Sequence, residues 1–390
     1  MYALEGIRVI DLSQGQAGPG SSMYLADQGA DVIKIEPPRG GDSNRSESND
    51  PVLANNSPRF MVMNRNKRGI TLDIRQPQGK SVLFRLLEQT DVFITNIRAQ
   101  AALRLGIDYE ALHKLHPRLI YGHITGYGTK GPYADKGAFD RLTQGFSGVM
   151  YRRWEDGTPV TAGIWVSDPS VPMLMAYGIT LALRVRDRTG AGQKVDTSLL
   201  QAAIAMQSPF LIKVEKAERP LMDFESPTYG IHRCSDGQYI NVAALRQHQA
   251  VRLFRLLDLN HLAEDPRATD PTRREEFRSD VYPILEALFA TRPVKEWLAL
   301  LDEADVPCAP ILDRDQVFSE PQIIENEMIT RVEHPTAGPV QMFAPPIHLS
   351  ETPGAIRRPA PLLGEHTVAV LHELGYSDAE VAELRAAEVI

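Results

Sequence analysis

Apolar and polar positions follow two alternating rhythms along the first third of the chain. Short β-branched runs, IRVIDL (7–12), DVIKIE (31–36), GITLDI (69–74), DVFITN (91–96) and RLIYGHIT (118–125), are separated by segments of helical length. The runs predict strands. The segments between them predict helices: SSMYLADQG ending on Gly29, a helix opened by Pro77 and another led by Asp108. Strands alternating with helices build a parallel sheet covered on both faces, because each parallel pair needs a crossover. Residues 169–186, with the run VPMLMAYGITLALRV, are apolar nearly all round and predict a buried helix. A second helix, TSLLQAAIAM, follows the turn GAGQ at 190–193.

The pattern loosens over 207–227, which reads as a linker. Beyond it, YGIHRC and QYINVA flank Asp236-Gly237 as a hairpin, and helical patterns follow near 247–257, 273–290 and 293–304. Residues 228–329 therefore form a smaller α+β domain. Pro345, Pro346, Pro353, Pro359 and Pro361 keep 343–361 out of regular structure and favour an extended return path. The path ends at two helices, the second opening with Ser377 and Glu380 in capping-box spacing. The expected fold is a large doubly wound, Rossmann-like α/β domain from 1–206 and 330–390 plus the smaller domain. At 390 residues the chain exceeds the size at which one core usually stops growing, which agrees with two domains.

Composition narrows the function classes. With 43% hydrophobic and 24% charged residues the chain is ordinary globular material. Its net charge of −8 opposes nonspecific binding to nucleic acid or to an anionic membrane, so neither is expected as a partner. No run of about 18 apolar residues predicts a membrane span, and the start, MYALEGIRVIDL, lacks leader features. Cys234 and Cys308 lie far apart in no metal-type spacing, and His232 with Cys234 lacks further ligands. No metal is expected, and the location expected is cytoplasmic. Cys308 reads as a small buried residue.

Two segments carry candidate chemistry. DLSQGQAGPG (11–20) turns from the first strand into a helix, where an α/β sheet binds ligands. Its glycines at 15, 18 and 20 do not make G-x-G-x-x-G, so a nicotinamide site is not expected, although Glu36 ends the second strand where a ribose would be held. Gln16 could hydrogen-bond a substrate or cap the loop. In GIWVSDPSVPMLM (163–175), Asp168 precedes Pro169 and the apolar helix, the usual place of an N-cap. A carboxylate held and partly desolvated there could also act as nucleophile or base. Trp165 lies three residues before Asp168, and Arg152, Arg153 and Trp154 form a cluster ahead of Asp156-Gly157, where one of the arginines would suit the distal carboxylate of a dicarboxylic substrate, or the cluster is simply an exposed loop.

Seven motifs in order resemble the class III CoA-transferase family. They are GIRVIDLSQGQAGPG, LADQGADVIKIEPPRGGD, NRNKRGITLDI with QPQGK, TDVFITNIR with LRLGIDYEALHKLHPRLIYGHITGYG, GPYADKGAFD, SDPS with RDRTGAGQKVDTSLLQAA, and PLLGEHTVAVLHELGY. The resemblance implies that Asp168 is the catalytic aspartate, attacking an acyl-CoA thioester to give a mixed anhydride and then an enzyme–CoA thioester. It implies that Gln16 lies at the active site. It places Asn96, Ile97, Arg104 and Leu105 along the CoA site, with Lys67, Arg68 and Arg98 bordering it. Cations there would suit the 3′-phosphate and pyrophosphate of CoA. Coenzyme A is then a co-substrate, with no permanently bound cofactor, the other partner is a small carboxylic acid, and an interlocked homodimer is expected. His366 in LLGEHT is a recurrent feature of the family and reads as a helix cap.

Two departures shape the expectation. The racemase branch of the family has a histidine where this chain has Phe139, and a phenyl ring carries no proton. The glycine-rich loop of formyl-CoA transferase has no counterpart in MDFESPTYG. CoA transfer is therefore the leading reading. The alternatives are an acyl-CoA racemase using Asp168 or Asp140 as base, and a noncatalytic CoA-binding protein.

Overall fold

The computed structural model describes every residue except 49, 54, 152–157, 209, 216–225 and 269–272. The chain divides into two compact units, Met1–Leu211 with Glu325–Ile390, and Ile212–Ile324.

The first unit is built on six parallel strands: β1 (Arg8–Leu12), β2 (Asp31–Glu36), β3 (Arg68–Thr71), β4 (Val92–Thr95), β5 (Ile120–Thr125) and β6 (Lys194–Ser198). Their order is β3-β2-β1-β4-β5-β6, that of a doubly wound sheet whose direction reverses between β1 and β4. The helices on this sheet are α1 (Ala17–Asp27), α2 (Pro58–Asn64), α3 (Pro77–Leu87), α4 (Ala99–Leu105), α5 (Tyr109–Leu115), α6 (Asp140–Ser147), α7 (Ser167–Thr189) and α8 (Leu199–Ala205).

The strand period of two divides the core cleanly. Ile10, Ile33, Ile70 and Phe93 face one side, where Val82, Leu83 and Leu86 of α3 cover them. Their neighbours Val9, Val32, Val92 and Ile94 face the other, under Leu25 and Ala26 of α1 and Val171, Met175 and Ile179 of α7. The chain end returns to the first face, where Val370, Leu371, Val381 and Leu384 complete the packing.

The second unit holds β7 (Tyr229–Arg233), β8 (Tyr239–Ala243) and β9 (Cys308–Pro310) as an antiparallel sheet. Its helices include α9 (Gln247–Leu256), α10 (Asn260–Ala263), α11 (Arg274–Phe289) and α12 (Val294–Glu303), with α13 (Arg314–Val317) and α14 (Pro321–Glu325) after them. Gly237 takes φ +80° between β7 and β8, as the Asp-Gly turn requires. Returning to the first unit, β10 (Ile329–His334) pairs with β11 (Gly338–Phe343). The Pro-rich return then leads to α15 (Thr367–Glu373) and α16 (Asp378–Ala386), whose start carries the Ser377–Glu380 capping box.

Two expectations change. KVDTS at 194–198 forms edge strand β6, although its polar residues lack an apolar run. And α7 is not buried all round: Met173, Tyr177, Leu181 and Val185 lie on the surface of the single chain.

Candidate active site

The turn after β1 is fixed from below by buried charge. Asp11 accepts hydrogen bonds from the Ser13 and Ser22 hydroxyls and pairs with Lys67 at 2.9 Å. Burial would raise its pKa, but Lys34 and Lys67 hold it down to about 2. Lys34 donates to the Ser13 carbonyl and pairs with Asp42 at 2.8 Å, while Asp42 accepts from Gly15 N at 3.1 Å. Asn96 grips the same turn, donating to Gln14 O at 2.7 Å and accepting from Gln14 N at 3.1 Å. Gly15 takes φ +79°, a left-handed conformation that glycine adopts without the Cβ penalty. Gly20 answers a different need: a Cβ there would lie 2.7 Å from Pro172 Cγ, so glycine lets α1 lie close against α7.

That close approach brings the two candidate residues together. Gln16, buried at the start of α1, sits between Asp168 and Arg59; its amide satisfies both neighbours in the orientation that donates from Nε2 to Asp168 Oδ2 at 3.1 Å and accepts at Oε1 from Arg59 Nε at 2.9 Å. Arg59 comes from the first turn of α2, whose Ser57 cap accepts from Phe60 N. Its guanidinium lies 4.2 Å from the centre of the Trp165 ring and pairs with Glu47 at 2.6 Å. Nothing local in the sequence marks Arg59. It reaches the site only through α2, and its signal would have been a cation set to face an indole far along the chain.

Asp168 is the second residue of α7 rather than its cap. The capping is done by Asp140 at the start of α6, whose Oδ2 accepts from the backbone N of Val166 (2.7 Å), Ser167 (2.6 Å) and Asp168 (3.1 Å). Burial first, then the charge of Asp140, pushes the Asp168 carboxyl up to about 6, against the opposing pull of Arg59. A carboxylate of that basicity and orientation is equipped to attack an acyl carbon or take a proton.

On the other side of the turn a cleft of about 590 Å³ opens at the C-terminal ends of β1 to β4. Leu12, Ile35, Leu72, Ile74, Ile97 and Leu105 give it apolar walls, and Ser13, Gln14 and Asn96 line it beside the turn; its charged lining is mixed, Glu36 and Asp73 with Arg39 and Arg75, of which Arg75 pairs with Asp73 at 2.8 Å and Arg39 with Glu388 at 2.5 Å. Asn96, Ile97 and Leu105 are thus together. Arg104 and Arg98 are exposed on α4 and do not line the cleft. Arg39 and Arg75 lay outside the expected set because neither falls in a strand or a helix cap.

Other expected residues stand elsewhere. Lys67 is fully buried, bonded to Asp11, Asn64 Oδ1 and Pro19 O, and burial pulls its ammonium down to about 8 against the charge of Asp11. It supports the turn from within and has no face on the cleft. Arg68 begins β3, at the end of the sheet opposite the cleft, and pairs with Asp31 at 2.7 Å and Glu373 at 2.6 Å. Glu36 is spent on a two-pronged pair with Arg45, so it is not a ribose holder. His366 makes no side-chain cap; its Nδ1 accepts from Gly69 N at 3.2 Å. Cys308 is only half-buried, and Arg152, Arg153 and Trp154 lie outside the described residues. Among the described residues no cluster of His, Cys, Asp and Glu could hold a metal, and no helix is long and apolar enough to cross a membrane.

The chain was compared with known proteins. The family described as CoA-transferase family III matches residues 4–367. A mouse (Mus musculus) succinyl-CoA:glutarate CoA-transferase is 34% identical, covering 100% of this chain and 91% of its own. A Streptomyces avermitilis formyl-CoA:oxalate CoA-transferase is 32% identical over 100% of this chain and 99% of its own. The crystal structure of a CAIB/BAIF family protein from Brucella suis superposes with a TM-score of 0.84 at 30% identity, over 96% of this chain and 99% of that one.

Proposed function

Because the chain belongs to CoA-transferase family III and transfers coenzyme A between an acyl-CoA and a carboxylic acid, we propose that Asp168 is the group that carries the acyl and CoA units in turn. The observation that carries this reading is the Gln16–Asp168 hydrogen bond at the α1–α7 contact, with the carboxyl raised to about 6. At neutral pH such a group is ionised, yet more basic than an ordinary carboxylate and so a better nucleophile.

The steps balance without ATP. Asp168 Oδ attacks the thioester carbon, the C–S bond breaks, and CoA thiolate leaves from a mixed anhydride. The thiolate attacks the aspartyl carbon, expels the donor acid and leaves an enzyme–CoA thioester. The acceptor carboxylate attacks that thioester, forming a second anhydride and freeing the thiolate. The thiolate then takes the new acyl group and restores Asp168. Gln16 puts no side-chain cap on α1, so the N–H groups of Ala17 and Gly18, the two that precede Pro19, are suited to the oxyanion of each tetrahedral intermediate. Gln16 Nε2 steadies the attacking oxygen.

The cleft fits the nucleotide end of coenzyme A: its apolar walls suit a base, and Arg39 and Arg75 would meet its phosphates by exchanging their exposed pairings with Glu388 and Asp73. Ser13 and Gln14 line it while Gln16 touches Asp168, so one short turn joins the two ends of an elongated ligand. Asn96, Ile97 and Leu105 belong to this surface in the reading, with Arg104 and Arg98 as outer cations. Among the described residues, the two positions considered for a second acid/base group do not serve racemisation. Phe139 holds the histidine position, and both oxygens of Asp140 already accept N–H bonds.

Oxalate, succinate and glutarate, named for the relatives, are dicarboxylates. Arg59, one amide away from Asp168, supports the same class here, by meeting the acid's second carboxylate. A homodimer and a cytoplasmic location complete the reading, supported by the uncovered apolar face of α7 and by two free thiols.

Acyl-CoA and acid pairs assayed by mass spectrometry, with hydroxylamine trapping, test the whole. The expectation is exchange favouring dicarboxylic acids, a hydroxamate on Asp168, and loss of both in Asp168→Ala. Arg59→Met should raise KM for dicarboxylic acceptors at least tenfold more than for monocarboxylic ones. Undiminished exchange in Asp168→Ala would overturn the assignment.

A further inference from the structure

Resting on that reading of Asp168, we propose that Asp140 is a positioning residue for the nucleophile. It occupies the anion-holding start of α7 itself and so leaves the Asp168 carboxylate turned toward Gln16 and the substrate.

A helix start presents unpaired N–H groups and the positive end of the helix dipole, and an aspartate in its first turn ordinarily settles onto them. Asp168 stands there but is not so used. The N–H groups of Val166, Ser167 and Asp168 all point to Asp140 Oδ2, within 2.6–3.1 Å. Asp140 Oδ1 is in turn held by Gln144 Nε2 at 2.5 Å. Four N–H donors therefore compensate one carboxylate, which is almost wholly buried.

The anchor is wider than one side chain. Gln144, one turn along α6, also donates to Ile164 O at 2.9 Å and accepts from Ala162 N at 3.1 Å. Thr143 and Ser167 share a hydroxyl hydrogen bond of 2.7 Å. One face of α6 thus grips the backbone from 162 to 168 at five points, which fixes where α7 begins and hence where its second side chain emerges. An error of an ångström there would separate Asp168 from Gln16 and from the reacting carbon.

The arrangement also sets basicity. The charged groups facing Asp168 are Asp140 from α6 and Arg59 from α2, which is itself paired with Glu47; Gln16 from α1 is neutral. A fixed anion at the helix start takes the stabilising donors and repels a second charge, so Asp168 remains a more reactive oxygen nucleophile than an N-cap aspartate would be.

Asp140→Asn removes the charge but keeps the size. It is expected to lower kcat at least tenfold, to leave KM for acyl-CoA within threefold, and to move the acid limb of the kcat profile below its wild-type midpoint near pH 6. Asp140→Glu keeps the charge but displaces the oxygens, and should lower kcat with the limb in place. A merely structural role would cost folded protein without moving the limb. Wild-type kcat and midpoint in Asp140→Asn would overturn the proposal; if that variant does not accumulate, unchanged kcat in Asp140→Glu would do so. Hydroxylamine trapping separates the layers. No Asp168 hydroxamate in the wild type sinks the nucleophile reading and this inference with it, whereas normal trapping with an indifferent Asp140 sinks this inference alone.

Discussion

At Asp168 the role proposed for the carboxylate conflicts with stability. Its carboxyl is raised from 3.8 to about 6 by burial and by Asp140, so the folded state favours its neutral form. Above pH 6 the protein carries a charge that the unfolded chain would bear more easily; the difference shrinks as pH falls from 6 and vanishes only well below the unfolded value of 3.8, where both states are protonated. Asp168→Asn removes the charge and keeps an acceptor for Gln16. It should therefore abolish exchange and raise stability by about 1–3 kcal/mol at pH 8, with most of the gain gone at pH 4. Thermal melts of the two proteins at pH 4, 6 and 8 check the sign as well as the size. A gain at pH 4 equal to that at pH 8 would mean that packing, rather than charge, produces it. The sequence could suggest Asp168 but not this environment, because Arg59, Trp165 and Asp140 meet it from separate segments. An Asp-Pro step shows only that a helix begins. Which carboxylate caps it depends on α6, 28 positions upstream at its first residue.

At the scale of elements, the glycines of the first turn divide by task, and each task is testable. Gly20 is the contact point of α1 with α7, where a Cβ would press on Pro172 Cγ at 2.7 Å and on Met63 Sδ at 3.1 Å. Gly20→Ala adds one buried methyl to a packed seam and should cost about 1–3 kcal/mol. Because the same seam sets the Gln16–Asp168 distance, kcat should fall further than stability alone explains. Urea denaturation beside exchange rates at 25 °C measures both, and a variant with unchanged kcat would show that the seam is not what aligns the pair. Elements of this kind were largely legible in advance. The strands at 31–36 and 120–125 end where their apolar runs end, since period-two patterning and crossover helices leave few alternatives. What escaped was β6, a polar edge strand held by its ladder to β5 and by Val195 against the core, and the direction in which Lys67 and Arg68 point. Both cations fall in a motif beside the site, but a motif does not say which way a side chain points. One turns into the Asp11 cluster and the other toward the far end of the sheet.

For the whole molecule, the unresolved question of packing is the outer face of α7. Met173, Tyr177, Leu181 and Val185 recur every four residues along one line of that helix and are exposed, at 47%, 64%, 48% and 44%. The sequence rule that an all-apolar helix is buried was sound as physics, but it does not say that the burying partner must belong to the same chain. Ile204 of α8, and Met206, Phe210 and Leu211 after it, are exposed apolar residues as well. An exposed apolar area of this kind suits a partner joined through a hydrophobic centre, and the partner expected is a second copy of the same chain. Sedimentation equilibrium is expected to give twice the 43.3 kDa of one chain. Tyr177→Glu with Leu181→Glu would set charges into the stripe at adjacent turns. That variant should sediment as a monomer, or fail to remain soluble, because an apolar surface of this extent is destabilised once its cover is lost. A soluble double variant that is still dimeric would move the interface off α7. Since α7 also carries Asp168 at its start, the monomer should lose exchange activity along with mass: a helix uncovered along its length loses much of the packing that holds its first turn in place.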